Sequence, residues 1–338
     1  MTKMKEVISL AHGSGGKLTQ ELIKNFFLPS FNNPFLAPLT DSAVVEMNGV
    51  KFAFTTDSYV IKPLFFPGGD IGKLSVAGTI NDLAVAGAKP VFITCGFIIE
   101  EGLPLAALKK IVSSIEQTAR CAGVEVVAGD TKVVEKGSAD GIFINTTGIG
   151  VIPPQINLKI ASLKIGDYII INGTVGDHSV AVLSSREELG FEESIESDCA
   201  PLYDLVKAIK PWWRFIKFMR DPTRGGIAGI SNEIAQGQNF AIKIQEENVP
   251  LREETKALCE LLGIDPLYLA NEGKIIFFVE REKAEDILKA LRIHALGKNA
   301  NIIGEIVAEP VGKVYLETSI GTKRVLDMLI EDQLPRIC

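Results

Sequence analysis

Residues 71–90, IGKLSVAGTINDLAVAGAKP, decide how the chain folds, because they set a helix between groups of strands. Leu74, Val76, Ile80, Leu83 and Ala84 recur at roughly helical spacing, and Gly87 with Pro90 beyond it supplies the stop. The spacing predicts a helix over 71–87 that carries Asn81-Asp82. Upstream, 41–47 and 51–59 read as strands joined across Asn48-Gly49, a hairpin dipeptide. Downstream, 91–100 reads as a strand. Pro104 then opens a helix with Leu105, Leu108, Ile111, Val112 and Ile115 on one face, ended by Gly123, and strands over 124–128 and 141–151 follow. Grouped strands interrupted by two helices suit an α+β sheet with helices on one face better than a doubly wound sheet.

Pro153-Pro154 marks a linker, and the pattern then resumes. Strands are expected over 167–172, 240–244, 274–279, 301–307 and 313–316. Helices are expected after Val175 and over 225–235, 252–262 and 282–295. The expected organisation is an N-terminal α+β domain over 1–155, a C-terminal α+β domain over 156–330, and a mobile tail over 331–338, EDQLPRIC, broken by Pro335.

A chain of 338 residues has room for two cores, and its formal net charge of −7 does not supply the basic surface of a nonspecific nucleic-acid binder. Its apolar runs are strand-sized, too short for a bilayer, and residues 1–10 lack the apolar stretch of a secretory signal, so a cytoplasmic location is expected. Cys95, Cys121, Cys199, Cys259 and Cys338 form no CxxC pair, which argues for free thiols.

Two sets of residues carry chemistry. His12-Gly13-Ser14-Gly15-Gly16-Lys17 offers unhindered backbone N–H groups, a hydroxyl and a cation before a helix-like stretch, the requirements of a phosphate cradle; a flexible glycine turn reads equally well. It is not a Walker A loop, since Ala11 and Leu18 stand where that motif needs Gly and Ser or Thr. Asp41, Asp57, Asp82 and Asp130 lie among apolar strand or helix residues, where a carboxylate is costly without a cation or donors. Hard oxygens at separate strand ends are what Mg²⁺ on a triphosphate requires.

The order HGSGGK, TTDSYV, NDLAVAGAKP, AGDTKVV, GDHSVAV, DPTRGG and NEG resembles the PurM-like ATP-dependent enzymes, among them AIR synthase, selenophosphate synthetase and thiamine-monophosphate kinase. The resemblance runs over nearly the whole chain. Within that superfamily, the terminal Leu-Pro-Arg-Ile-Cys resembles the HypE family of hydrogenase-maturation proteins. The early loop has Ser14 and no nearby Cys, unlike selenophosphate synthetase. One departure is Ser179, where the family usually has glycine after Gly-Asp-His.

The resemblance implies a two-domain PurM-like fold whose N-terminal sheets pair across a homodimer. It also implies ATP and Mg²⁺ as cofactors, with Asp41, Asp57, Asp82 and Asp130 on the metal. Gly13, Ser14, Gly15, Gly16, Lys17, Thr131, His178 and Asp221 fall with the nucleotide, although His178 could equally order the second domain and Asp221 could simply open a helix.

The implied reaction is dehydration of a carbamoylated Cys338 to a thiocyanate, with Glu272 as base and Lys132 polarising the oxygen. The implied donor is the carbamoyltransferase HypF, the acceptor is the HypC–HypD complex, and the destination is the iron of a [NiFe]-hydrogenase. Two other readings stand beside it. One is a small-molecule kinase on the same fold, and the other is a carrier that passes on a cyanide group without catalysing its formation.

Overall fold

Asn48 and Gly49 both take positive φ (50° and 77°), the pair of left-handed residues a type I′ turn needs. The turn closes the hairpin of β1 (Ala43–Met47) and β2 (Val50–Tyr59), with Met47 opposite Val50. The structure, a computed structural model, describes residues 7–186 and 195–330, so the tail expected over 331–338, with Cys338, lies outside the described residues.

Before the hairpin runs an arm of α1 (Lys17–Leu22), a π turn at Ile23–Phe27 and α2 (Leu28–Ser30). After it come the short strands β3 (Phe65–Phe66) and β4 (Gly69–Asp70), then α3 (Ile71–Val85). Asp70 caps α3: its Oδ1 accepts from the Gly72 and Lys73 amides at 2.7 and 3.1 Å. Only Lys73 and Asp82 of α3 are not fully buried, so the helix is apolar nearly all round and its sequence period is weak.

The half continues through β5 (Lys89–Glu100), α4 (Leu105–Ala122), ended by left-handed Gly123, β6 (Glu125–Val134) and β7 (Ile142–Ile152). The sheet runs β1-β2-β7-β5-β6, antiparallel except for β5 with β6. β6 extends well past residue 128, because Gly129 and Asp130 pair with Cys95 and Gly96. A Cβ on Gly129 would sit 2.6 Å from the Cys95 carbonyl oxygen. Asp130 and Asp57 are therefore inside strands and not at their ends. β6 is an edge strand, and every residue of it except Val134 is exposed.

The second half contains β8 (Tyr168–Ile171), α5 (Asp177–Ser184), α6 (Tyr203–Ala208), β9 (Ile216–Arg220), α7 (Gly226–Ala235) and β10 (Ala241–Gln245). There follow α8 (Glu253–Leu262), β11 (Ile276–Val279), α9 (Arg281–Ile293), β12 (Asn301–Val307), β13 (Val314–Glu317) and β14 (Lys323–Val325). The sheet order is β14-β13-β10-β12-β8-β11-β9. β9 and β14 escape the sequence reading: each is short and charged, and each lies at a sheet edge.

One core fills the first sheet against α3 and α4, and another fills the second sheet around Phe278, Ile242 and Ile306. A third joins the halves, packing Leu83, Ala84, Val85 and Ile152 with Leu202, Leu205, Trp213 and Phe277. Trp213 is buried there, and its indole donates to the Val206 carbonyl at 2.8 Å. No described helix is long and apolar enough to cross a membrane.

Candidate functional site

Three carboxylates meet where the halves join. Oxygens of Asp41, just before β1, Asp82 on α3, and Asp221, just after β9, all lie within 4.8 Å of one another. Asp82 reaches the group because it is one of the two α3 residues not packed into the core. Thr55 Oγ1 on β2 donates to its Oδ2 at 2.5 Å, and Ser42 Oγ donates to its main-chain oxygen at 3.0 Å. Arg220, the last residue of β9, pairs with Asp41 (2.8 Å) and Glu233 (2.9 Å).

Burial and then the neighbouring charges push this group up. Asp82 stands well above the usual carboxylate range, and Asp221 is raised to about 8. Asp41 is raised to about 6, with Arg220 opposing burial. Asp57 on β2 is raised by burial and adds its own charge to the repulsion; Tyr59 donates to it at 3.3 Å. Crowded hard oxygens with one guanidinium among them fit a divalent cation such as Mg²⁺.

Replacing Asp82 with asparagine should therefore raise the metal-free chain's stability by about 1–3 kcal/mol and remove the added stability that Mg²⁺ is expected to give the wild type. Urea melts with and without Mg²⁺ check this, and an undiminished Mg²⁺ effect in the variant would contradict the assignment.

The sequence places Asp130 in this group, but within one chain the structure does not. Asp130 projects from the exposed edge strand, both its oxygens accept from Lys132 Nζ (2.8 and 2.7 Å), and that hydrogen bond holds it below its ordinary range. Thr131 and Lys132 share the exposed strand. Asp221 completes the set instead.

The glycine-rich loop folds as a turn at Leu10–Gly13, with Gly16 capping α1. Ser14 Oγ donates to the Ala11 carbonyl at 3.1 Å, and Lys17 is exposed. Arg224 of DPTRGG donates to the Gly13 carbonyl at 2.7 Å, and a Cβ on left-handed Gly15 would come 2.7 Å from the Cβ of Arg224. On the other side, a Cβ on Gly16 would meet the Leu329 and Ile330 carbonyls at 2.7 and 2.8 Å. The amides of Gly15 and Lys17 already donate, to Thr19 Oγ1 (2.9 Å) and the Leu329 carbonyl (3.0 Å). The loop thus uses part of its donor set to hold the last described residues, which a phosphate cradle would leave open.

Glu272 is buried, and burial with the charges of Asp221, Asp198 and Asp57 pushes it well above its ordinary range. Its main chain is fixed by two side chains. Asn81, beside Asp82, donates to the Glu272 carbonyl at 3.1 Å, and the Glu272 amide donates to Asp198 (3.1 Å). Asp198 is ion-paired with Lys274 (2.8 Å). Asn271 bonds Pro222 and accepts from the Gly176 amide at 2.8 Å.

His178 is fully buried, with Nδ1 2.8 Å from Ser197 Oγ and its ring edge-on to Phe66 at 5.4 Å. Ser179, where the family usually has glycine, is buried and donates from Oγ to the Ala270 carbonyl at 3.1 Å.

A cavity of about 650 Å³ opens beside the carboxylates, sharing Asp41 and Arg220 and walled by Thr55, Thr56, Phe35 and Leu36. Its size and mixed lining suit a nucleotide. Sequence reasoning gave no role to Arg220, Arg224, Asp198 or Asn81. Arg224 and Asn81 lie inside motifs that were visible and Arg220 borders one, whereas Asp198 has no local signal.

Residues 39–152 match the AIR synthase related protein N-terminal domain, and 164–317 match its C-terminal domain. The chain is 48% identical to the carbamoyl dehydratase HypE of Bradyrhizobium diazoefficiens over 332 residues, covering 98% of this chain and 96% of that one. It is 47% identical to HypE of Escherichia coli K12, with coverages of 98% and 99%. A crystal structure of a HypE–HypF complex superposes with a TM-score of 0.86 at 50% identity, covering 91% of this chain and 99% of that one. HypE in complex with ATP gives 0.81 at 44%, covering 98% and 100%. A thiamine monophosphate kinase of Aquifex aeolicus gives 0.67 at 18% with coverages of 91% and 99%, a likeness of fold alone.

Proposed function

The chain belongs to the AIR synthase related proteins and, within them, to the carbamoyl dehydratases of the HypE family, and from that premise we propose that it dehydrates a carbamoyl group on its own Cys338. The observation that carries this reading is Glu272, a buried carboxyl whose proton affinity is raised by burial and then by the charge of Asp221, one of the three clustered aspartates. In the reaction the thiocarboxamide oxygen of S–C(=O)–NH2 takes the γ-phosphoryl group of ATP, releasing ADP. Loss of phosphate and of both nitrogen-bound protons then leaves S–C≡N. An amide oxygen leaves poorly, and phosphorylation converts it into a good leaving group.

Asp41, Asp82 and Asp221 are the residues that would hold Mg²⁺, with Asp57 beside them; the ion supplies charge neutralisation on the phosphates. Glu272 receives a nitrogen proton. Arg224 acts on both Glu272 and Asp57, opposing their rise in proton affinity. Leu329, bonded to the glycine-rich loop, anchors the chain that ends in Cys338. The nine residues after it reach at most roughly 30–32 Å when extended, a tether long enough for one thiol to visit more than one site.

The carbamoyl donor is HypF and the acceptor of the cyanide group is the HypC–HypD complex, which serves [NiFe]-hydrogenase maturation in the cytoplasm. A homodimer is supported by β6, an exposed edge strand with Val126, Val127 and Val133 in water. A second copy over that edge would bury the valines and give Asp130, Thr131 and Lys132 a route to its nucleotide, Lys132 polarising the carbamoyl oxygen.

The test is intact-mass spectrometry after incubation with HypF and carbamoyl phosphate. Carbamoylation adds about 43 Da, and subsequent Mg²⁺–ATP should remove roughly 18 Da as water. A carbamoylated chain that keeps its mass with ATP present would refute self-dehydration.

A further inference from the structure

The segment before α8, the end of α9 with the loop after it, and Thr174 line a second, shallow and open depression of about 490 Å³, which shares no lining residue with the first. Arg252, Arg292 and Lys298 line it, Asn299 and Asn301 add amides, and none of the described residues lining it is acidic. In a chain of net charge −7, three cations around one hollow are a local arrangement that composition does not supply.

Two of the cations are held in place. Arg292 donates from Nε to the Ala300 carbonyl at 2.9 Å and from Nη2 to Asn301 Oδ1 at 3.4 Å, while Asn301 is itself tied to the Asn248 carbonyl at 2.7 Å. Arg252 Nε lies 3.1 Å from the fully buried Asp177, which also accepts from Thr255 at 2.9 Å. One buried acid against three cations leaves an excess of two positive charges.

We propose that this depression binds a small phosphate-bearing anion. Two planar guanidinium forks and an ammonium suit tetrahedral oxygens, and the excess charge matches a phosphate dianion. The volume accepts free phosphate or a nucleoside monophosphate. Occupancy would be felt at the reactive site, because Thr174 and Asp177 flank Gly176, whose amide donates to Asn271, the neighbour of Glu272.

The experiment titrates the full-length chain with inorganic phosphate and, separately, with AMP at constant ionic strength, following heat of binding. It compares wild type with the double variant Arg292→Gln, Lys298→Gln and with Lys298→Arg. Saturable binding weakened at least about tenfold in the double variant and kept in Lys298→Arg supports the site. AMP binding more tightly than phosphate, with the same sensitivity, makes a phosphate ester the occupant; equal binding makes it free phosphate. Identical isotherms in wild type and double variant, or no saturable binding, overturn the proposal. Both substituted residues are exposed, and Lys298→Gln alone repeats the comparison should the double variant not fold.

Discussion

Cys338→Ala is expected to leave the chain folded and able to bind ATP while abolishing both mass gains, the carbamoyl adduct and its dehydrated product. The buried thiols cannot substitute. Cys95, Cys199 and Cys259 are buried, and burial pushes Cys95 and Cys259 up to about 11 and Cys199 well above its ordinary value, so their thiolates are scarce at neutral pH. Cys121 is the one exposed cysteine among the described residues. A carbamoyl-sized gain persisting in Cys338→Ala would therefore point to Cys121, which Cys121→Ser would settle. An unperturbed thiol is only about 3% thiolate at pH 7, so the donor enzyme must supply a basic neighbour when the group is first transferred. Wild type that stays unmodified beside a donor of proven activity would remove the carrier role altogether.

Glu272→Gln should separate the two halves of the reaction. Carbamoylation proceeds on the tail, whereas dehydration slows by about 10²–10⁴-fold, so the carbamoylated chain accumulates. The substitution keeps the main-chain bonds to Asn81 and Asp198, since these use the Glu272 carbonyl and amide and not its carboxyl. It also removes a buried acid facing Asp221, Asp198 and Asp57, so the variant should be no less stable than wild type at neutral pH. Loss of rate with stability kept, read by single-turnover mass spectrometry beside a urea melt, marks a catalytic group. Unchanged dehydration would move the base elsewhere.

Much of this was legible along the chain, and the illegible part has a common cause. Asn48-Gly49, Gly123 and the apolar face of α4 are local signals, and the hairpin and helix follow from them. The extent of β6 is set by its pairing with β5, so the strand carries Asp130 out to an exposed edge where a local reading put a strand end. Asp221 reads alone as a helix opening; its company with Asp41 and Asp82 comes from contacts across the whole length of the chain. Asn81 holding Glu272, and Asp198 holding Lys274, are long-range pairs of the same kind. The glycine-rich loop looked like a cradle because its amides are unhindered in sequence, and only the fold reveals which of them are already spent.

The core that packs Leu83, Val85 and Ile152 against Leu202, Trp213 and Phe277 has a further consequence for how the molecule lives and dies. Neither half can be cut out without laying open a greasy wound, so a proteolytic nick in the linker near residue 153 would not liberate two autonomous modules. Melting of one half should drag the other with it in a single cooperative event.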